Sequence, residues 1–346
     1  MNKSLANPSC FFLTMNMGQT EATFITNVVT CILNSLFSPT TCAGNFIIVY
    51  VIWKSRYLHS PSFFLLGCLA VADFLVGAIC QPTLVGSKIA ELQGDPSLIC
   101  PLRMLQSMSA WITGSVSLSL LALVSIDRLL ALTLHLRYNS VVTVSRMCLA
   151  VLLLWIATAT TVSLRFAVTN WLIIPLLSLL ITFLVIAFCT YKIFHLVERH
   201  RRQIREQNMA MSLGANASNE LKCRKSAVTI LYVYGLLLTF YIPLFATVLA
   251  DNMIGYTGSV QIAYAFSTTT VFINSFLNPA VYCWRIREIR QVVVSVLRRS
   301  QQHLLNRKAN NSVHNLSGSE GFHQNKPEEL EDSLKKKGQT DGSVPI

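Results

Sequence analysis

Apolar positions gather into seven long runs, at about 25–52, 61–87, 99–132, 145–167, 168–197, 224–250 and 259–283, with polar stretches between them. Each run meets the roughly 20 mainly apolar residues that a helix needs to cross the hydrocarbon of a bilayer. The fourth and fifth are nearly continuous and only the group around Arg165 to Asn170 divides them. A single helix through both would be far too long for the bilayer. After the last run, Ile286, Ile289, Val293, Val296 and Leu297 recur at helical spacing, with Arg287, Arg290 and Arg298 on other faces. That pattern predicts a basic amphipathic helix over 284–299, lying in the membrane interface. The fold expected is therefore an all-α membrane protein: an N-terminal segment 1–24, a seven-transmembrane helix bundle over 25–283, and an amphipathic cytosolic helix 8. The polar tail 300–346, which holds Ser312, Ser317, Ser319 and Ser333, is expected to be disordered.

Composition points the same way. The chain is 52% hydrophobic and only 13% charged, against about 25% charged in soluble domains. A net charge of +12 would fit a nucleic-acid partner if it formed one patch. Instead the basic residues stand in short blocks after the first, third, fifth and seventh runs: Lys54 and Arg56, Arg137 and Arg146, Arg199 to Arg205 with Lys222 to Lys225, and Arg285 to Arg299. On the other side Lys88 and Arg103 are offset by Glu91 and Asp95, and Asp251 stands alone. The positive-inside rule puts the N-terminus outside and the C-terminus in the cytosol, in keeping with seven spans, and no nucleic acid is expected as partner. The short apolar run Cys10 to Met15 does not make a cleavable signal, so the first span is expected to act as the anchor. Of ten cysteines, only Cys10 and Cys100 fall at extracellular positions, and no CxxC or Cys/His metal spacing occurs.

Polar side chains inside these runs carry the chemistry. An ionisable group at the bilayer centre costs ~2.5–3.5 kcal/mol on insertion scales, which makes it a functional candidate. Asp73 sits mid-span in the second run; Asn45, Ser117, Asn274, Ser275 and Asn278 lie at similar depths. Packed together, one carboxylate among Asn and Ser oxygens suits a bound Na⁺; alternatively Asp73 ties helices together by hydrogen bonds to the Asn side chains. In Asn274-Ser275-Phe276-Leu277-Asn278-Pro279-Ala280-Val281-Tyr282, the proline frees a backbone carbonyl that neighbouring polar side chains can satisfy. Asp127-Arg128 closes the third run, where the acid either holds Arg128 as an ion pair or leaves it to snorkel at a helix end.

Taken together, Gly44-Asn45, the Leu-Ala-x-x-Asp motif ending at Asp73, Ser125-Ile126-Asp127-Arg128, Trp155, Pro243 and Asn278-Pro279-x-x-Tyr282 resemble the rhodopsin-like (class A) G-protein-coupled receptors, across about 40–300. Leu136 to Ser140 and Arg285 to Gln291 are similar to segments of adenosine receptors, and the first of these also to melanocortin receptors. The near-absent loop after the fourth span is melanocortin-like. The resemblance implies a plasma-membrane receptor for an extracellular ligand, coupled to a heterotrimeric G protein. It implies that Arg128 contacts the G protein and Tyr282 swings inward on activation, with Asp127, Tyr241, Pro243, Asn278 and Pro279 serving the same switch. Arrestin and receptor kinases would act through the tail, and membrane lipid would surround the bundle.

The chain also departs from the family. Tyr241 stands where a Trp is usual, and Cys223 where an acid normally pairs with Arg128, which predicts raised basal signalling. The family's usual extracellular bridge lacks its loop cysteine, which leaves a Cys10–Cys100 bridge or two free thiols. By analogy the ligand pocket would be lined by Ala110, Trp111, Gly114, Tyr241, Phe245, Val248, Tyr264 and Phe272; the same residues could equally be packing. Ala110 replaces the acid of amine receptors, Val248 the adenine-binding Asn, and Thr83, Arg103 and Ser107 the acidic cluster of melanocortin receptors. Phe272 takes the place of the opsin lysine, so no retinal Schiff base is expected, and no cofactor beyond the Na⁺. A small neutral or apolar ligand is favoured, entering a mouth left open by the missing loop. A transporter or channel would show repeated halves and broken helices, and neither is found. An enzyme would need convergent groups at a lumen. His195-x-x-Glu198-x-His200 lies instead in a basic segment expected to be a solvated loop.

Overall fold

The computed structural model describes residues 9–11, 13–14, 20–55, 58–134, 137–168, 173–210, 235, 239–296, 298–299 and 301–302. Cys223 and the four tail serines lie outside the described residues. The chain divides into two units, 1–293 and 294–346; in the second, the described residues 294–296, 298–299 and 301–302 are helical.

A two-stranded hairpin, β1 Ser9–Cys10 and β2 Leu13–Thr14, precedes the helices. Helix α1 spans Glu21–Lys54; the Thr20 hydroxyl accepts from the backbone N–H of Thr23, whose own hydroxyl accepts from the Thr20 N–H, a reciprocal start that satisfies two orphan donors. The second span is one rod in three parts, α2 Pro61–Leu75, a π-helical turn Val76–Cys80, and α3 Gln81–Gln93. Gly94 ends it in the left-handed region at φ 68°, where a residue without Cβ is unstrained. Asp95 then accepts from the Ser97 N–H and hydroxyl, which holds its carboxyl below the usual range, as α4 Pro96–Leu134 begins. A short helix α5 Tyr138–Val141 leads to α6 Val144–Ser163 and a 3₁₀ turn Leu164–Phe166. Then come α7 Ile173–Ala210, α8 Thr239–Ile254, α9 Gly258–Arg285, and α10 at 287–296.

Among the described residues five helices are long and apolar enough to cross a membrane: Glu21–Lys54, Pro61–Gln93, Ser97–Leu134, Val144–Phe166 and Ile173–Arg199. α8 is apolar but shorter, and most residues just ahead of it lie outside the description. α9 has 28 residues, ample length, with Ser, Thr and Asn along its buried face. Two expectations need correcting. The second span runs on to Gln93 rather than stopping at 87, because the π-turn and Pro82 do not break the rod. His195 and Glu198 belong not to a loop but to α7, where Glu198 pairs with Arg202 at 3.7 Å, one turn on.

The outward faces of the bundle are apolar, and its interior mixes apolar side chains with many buried polar ones. α1 packs on α2, α3 and α9, and α4 packs on α2, α3, α6 and α7. The buried face of α1 carries Thr30, Asn34, Thr41 and Asn45, while Ile32, Leu36 and Phe46 face outward. α6 and α7 expose Leu149, Leu152, Ile156, Leu177, Ile181 and Leu184 in the same way. Apolar outer faces with polar side chains held inside are the arrangement a hydrocarbon solvent favours. In α10, Ile289 and Val293 are buried and Arg287, Glu288 and Arg290 exposed, so its two faces differ as the spacing predicts.

Candidate functional site

Asp73 is fully buried on α2. The Asn278 amide donates to its Oδ2 at 2.6 Å, the Ser117 hydroxyl to its Oδ1 at 3.4 Å, and the Ser275 hydroxyl lies beside it. Three elements, α2, α4 and α9, thus converge on one carboxylate. Among the described residues no Lys or Arg pairs with it. A buried carboxylate without a cationic side chain is costly, so a hard cation among the hydroxyl oxygens, or a proton, fits the donor set. Asn274 is buried one residue away, but no bond joins it to Asp73. Asn45 instead spans α1 and α9: its amide donates to the Ser275 carbonyl at 3.0 Å. That carbonyl sits four residues before Pro279, which has no N–H to offer it. Gly44 lets α1 come this close, since a Cβ there would meet the Pro279 ring at 3.3 Å.

Below this layer Asp127 is 1% exposed and its carboxylate accepts from Ser62 and from Tyr138, both at 2.6 Å, while Arg128 lies at 3.3 Å with its side chain 46% exposed. The sequence reading had Asp127 and Arg128 but missed Ser62 and Tyr138. Tyr138 lay within a family-like segment, yet nothing in its spacing marked it as a partner of an acid eleven residues earlier. Tyr282 is buried and its hydroxyl has no hydrogen-bond partner among the described residues.

Above Asp73 lies a cavity between α4, α7, α8 and α9. It is lined by all eight residues expected there: Ala110, Trp111 and Gly114 on α4, Tyr241, Phe245 and Val248 on α8, Tyr264 and Phe272 on α9. Gln106, Leu176, Leu179 and Thr268 also line it and were not foreseen. Among the described residues no acid or base contributes to the lining. Only about 70 Å³ stays free between the side chains, so in this conformation the cavity is narrow. Tyr241 is buried at its inner end, edge-on to Phe183 with ring centres 6.4 Å apart. Pro243 follows on the exposed side, its carbonyl taken by the Thr247 hydroxyl.

The outer end is not simply open. Cys10 and Cys100 form a disulfide, which ties the hairpin to α4, and buried Cys10 packs with Ala90 and Ile99. Phe11 sets its ring edge-on against Phe166 at 6.4 Å. The N-terminal hairpin therefore lies against the 3₁₀ turn that ends α6. Beneath it Glu91 accepts from Lys88 at 2.9 Å and from Asn27 at 3.3 Å. A second buried polar layer joins α1, α3 and α9, with Asn34 donating to Thr269 at 3.0 Å and Gln81 donating to Asn34 at 3.4 Å.

The model of the family described as "7 transmembrane receptor (rhodopsin family)" matches residues 44–175 and 165–282 of this chain. Trace amine-associated receptor 1 of Mus musculus is 24% identical over 296 residues, 77% of this chain and 87% of that protein. Melanocortin receptor 3 of Mus musculus is 24% identical over 265 residues, 73% and 80%. Probable G-protein coupled receptor 21 of Homo sapiens is 24% identical over 268 residues, 69% and 75%. The matched segments contain Asp73, Asp127-Arg128 and Asn278-Pro279-x-x-Tyr282, and the chain belongs to the rhodopsin family of seven-transmembrane, G-protein-coupled receptors.

Proposed function

We propose that the receptor takes its extracellular ligand in the aromatic cavity and passes the signal through the Asp73 layer to Arg128, which engages the G protein. The observation that carries this reading is the stacking of three sites along α4: Ala110, Trp111 and Gly114 in the cavity, Ser117 at Asp73, and Asp127-Arg128 at the far end. A ligand that moves Tyr241 or Phe272 acts on α8 and α9 within about two turns of Pro243, Asn278 and Pro279. The buried Tyr282 hydroxyl, without a hydrogen-bond partner among the described residues, supports an inward swing in which it gains one.

The ligand's buried part is apolar, because the lining offers aromatic and aliphatic surface and no fixed charge. An ammonium ligand would have no carboxylate to meet. Asp73, Ser117 and Ser275 would hold Na⁺, which would supply the countercharge that no Lys or Arg among the described residues gives Asp73. The chain is a multi-pass plasma-membrane protein, with its N-terminus outside and its C-terminus in the cytosol according to the distribution of Lys and Arg. α10 rests on the lipid interface, and the tail beyond it offers serines to receptor kinases and then to arrestin. The test is nucleotide exchange on purified heterotrimeric G proteins in membranes that hold this chain. Exchange above that of empty membranes, lost in Arg128→Ala, supports the reading; none with any G-protein class refutes it.

A further inference from the structure

Two arginines bond to residues that neighbour the cavity wall without lining it themselves. Arg103 on α4 has a side chain only 13% exposed; its Nη2 donates to the Tyr256 hydroxyl at 2.9 Å, its guanidinium lies 5.3 Å from the centre of that ring, and its Nε is 3.7 Å from Glu91. Burial pushes the Tyr256 phenol up, so it stays protonated as a neutral partner. Arg165, in the 3₁₀ turn that ends α6, reaches across to α4, where its Nη1 donates to the buried Ser107 hydroxyl at 3.1 Å. Ser107 adjoins Gln106 of the cavity wall and stands one turn above Ala110 and Trp111. Tyr264 on α9 and Asp251 on α8 both feel the charge of each arginine.

We propose that the ligand is an anionic amphiphile, with a carboxylate or phosphate head held by Arg103 and Arg165 and a linear apolar chain running down to Tyr241 and Phe272. The inference rests on the aromatic cavity being the ligand site. A guanidinium presents its N–H groups in a planar fork that matches carboxylate and phosphate oxygens. In a half-buried site that pairing is stronger than in open water. Gln106 and Ser107 add neutral donors beside the head. The aromatic and aliphatic lining below suits an apolar chain, and the arginine charges repel an amine.

The experiment uses the full chain in phosphatidylcholine nanodiscs and reads the unfolding midpoint against decanoate, decyl phosphate, decanol and decylamine. Expected is stabilisation by decanoate or decyl phosphate at a half-saturating concentration roughly tenfold or more below that of decanol, the scale of one charge-assisted hydrogen bond. Arg165→Gln removes that advantage while the decanol response stays, which shows that the variant is folded; Arg103→Gln is read by the same ratio. Which of the two anions binds more tightly identifies the head. Equal binding of decanol and both anions by the native chain, or an advantage that survives both substitutions, overturns the inference. Gly114→Trp, placed where an added Cβ meets nothing within 4 Å, separates the two readings. If decanol stabilises and Gly114→Trp abolishes it, the cavity stands and only the anionic head falls. If no probe stabilises, or Gly114→Trp changes nothing, both fall.

Discussion

The Asn45 amide donates to the Ser275 carbonyl at 3.0 Å, and this carbonyl is the one Pro279 leaves without its helical donor. A side chain of α1 thus repairs a break in α9, and Gly44 beside it allows the approach. Asn45→Ala leaves the carbonyl unsatisfied and is expected to cost about 1–3 kcal/mol. Pro279→Ala returns an N–H to the same carbonyl, so in that background the loss from Asn45→Ala should shrink. A double-mutant cycle on unfolding midpoints should give a coupling of ~0.5–3 kcal/mol. Strict additivity would show that the bond does not serve the proline.

How far the chain could be read before folding depends on the kind of signal. Asn-Pro in an apolar run announces a freed carbonyl, and the cost of Asp73 in a membrane announces a partner. Both statements are local, and the sequence states them. What Asn45 pairs with is not local: its partner lies 230 residues away and follows only from the register of α1 on α9. The eight cavity residues were legible because span depth and helical phase, given the family motifs, place them. Ser62, Tyr138 and the Arg165–Ser107 bond were not, since short polar side chains and loop-end arginines carry no periodic signature. Nor was the hairpin over the mouth, which depends on a disulfide whose alternatives the sequence left open.

Asp73 should make stability sensitive to sodium. Exchanging choline chloride for sodium chloride is expected to raise the unfolding midpoint of the native chain, equivalent to about 1–3 kcal/mol near saturation. Asp73→Asn should abolish the difference, and Ser117→Ala should move its half-point to higher salt. Equal midpoints in the two salts would leave Asp73 as a helix tie and no more.

Asp127 holds three donors at once, and Arg128 is the only charged one. Asp127→Asn weakens the hold on Arg128 and is expected to raise basal nucleotide exchange, up to about tenfold, the scale of one lost charge-assisted bond. Tyr138→Phe removes one neutral donor and should act in the same direction more weakly. Unchanged exchange in Asp127→Asn at equal expression would mean that this pair does not restrain the receptor.

The Cys10–Cys100 bridge closes a loop across 90 positions of sequence. Its removal by Cys10→Ser should lower stability by about 2–4 kcal/mol and free the hairpin that carries Phe11. Peptide mapping without reductant should recover the linked pair. Recovery of both cysteines as alkylated thiols would contradict it.

Among the described glycines the closest approach of a neighbouring helix is at Gly77, in the π-helical turn. A Cβ there would meet the Cys42 sulfur at 2.9 Å, the Cys42 nitrogen at 3.0 Å and the Ser38 carbonyl at 3.1 Å, while the Ser38 hydroxyl already donates to the Gly77 carbonyl at 2.8 Å. Two of the three obstacles are backbone, so no rotamer change relieves them, and α1 must shift. Gly77→Ala is expected to cost about 1–3 kcal/mol, as overpacking does. Gly114→Ala meets open space and should be neutral to slightly stabilising, since alanine narrows the unfolded ensemble. Measuring both by thermal unfolding in one nanodisc preparation separates steric cost from a general intolerance of change. If the two alanines behave alike, close packing of α1 on the second span is not what Gly77 provides.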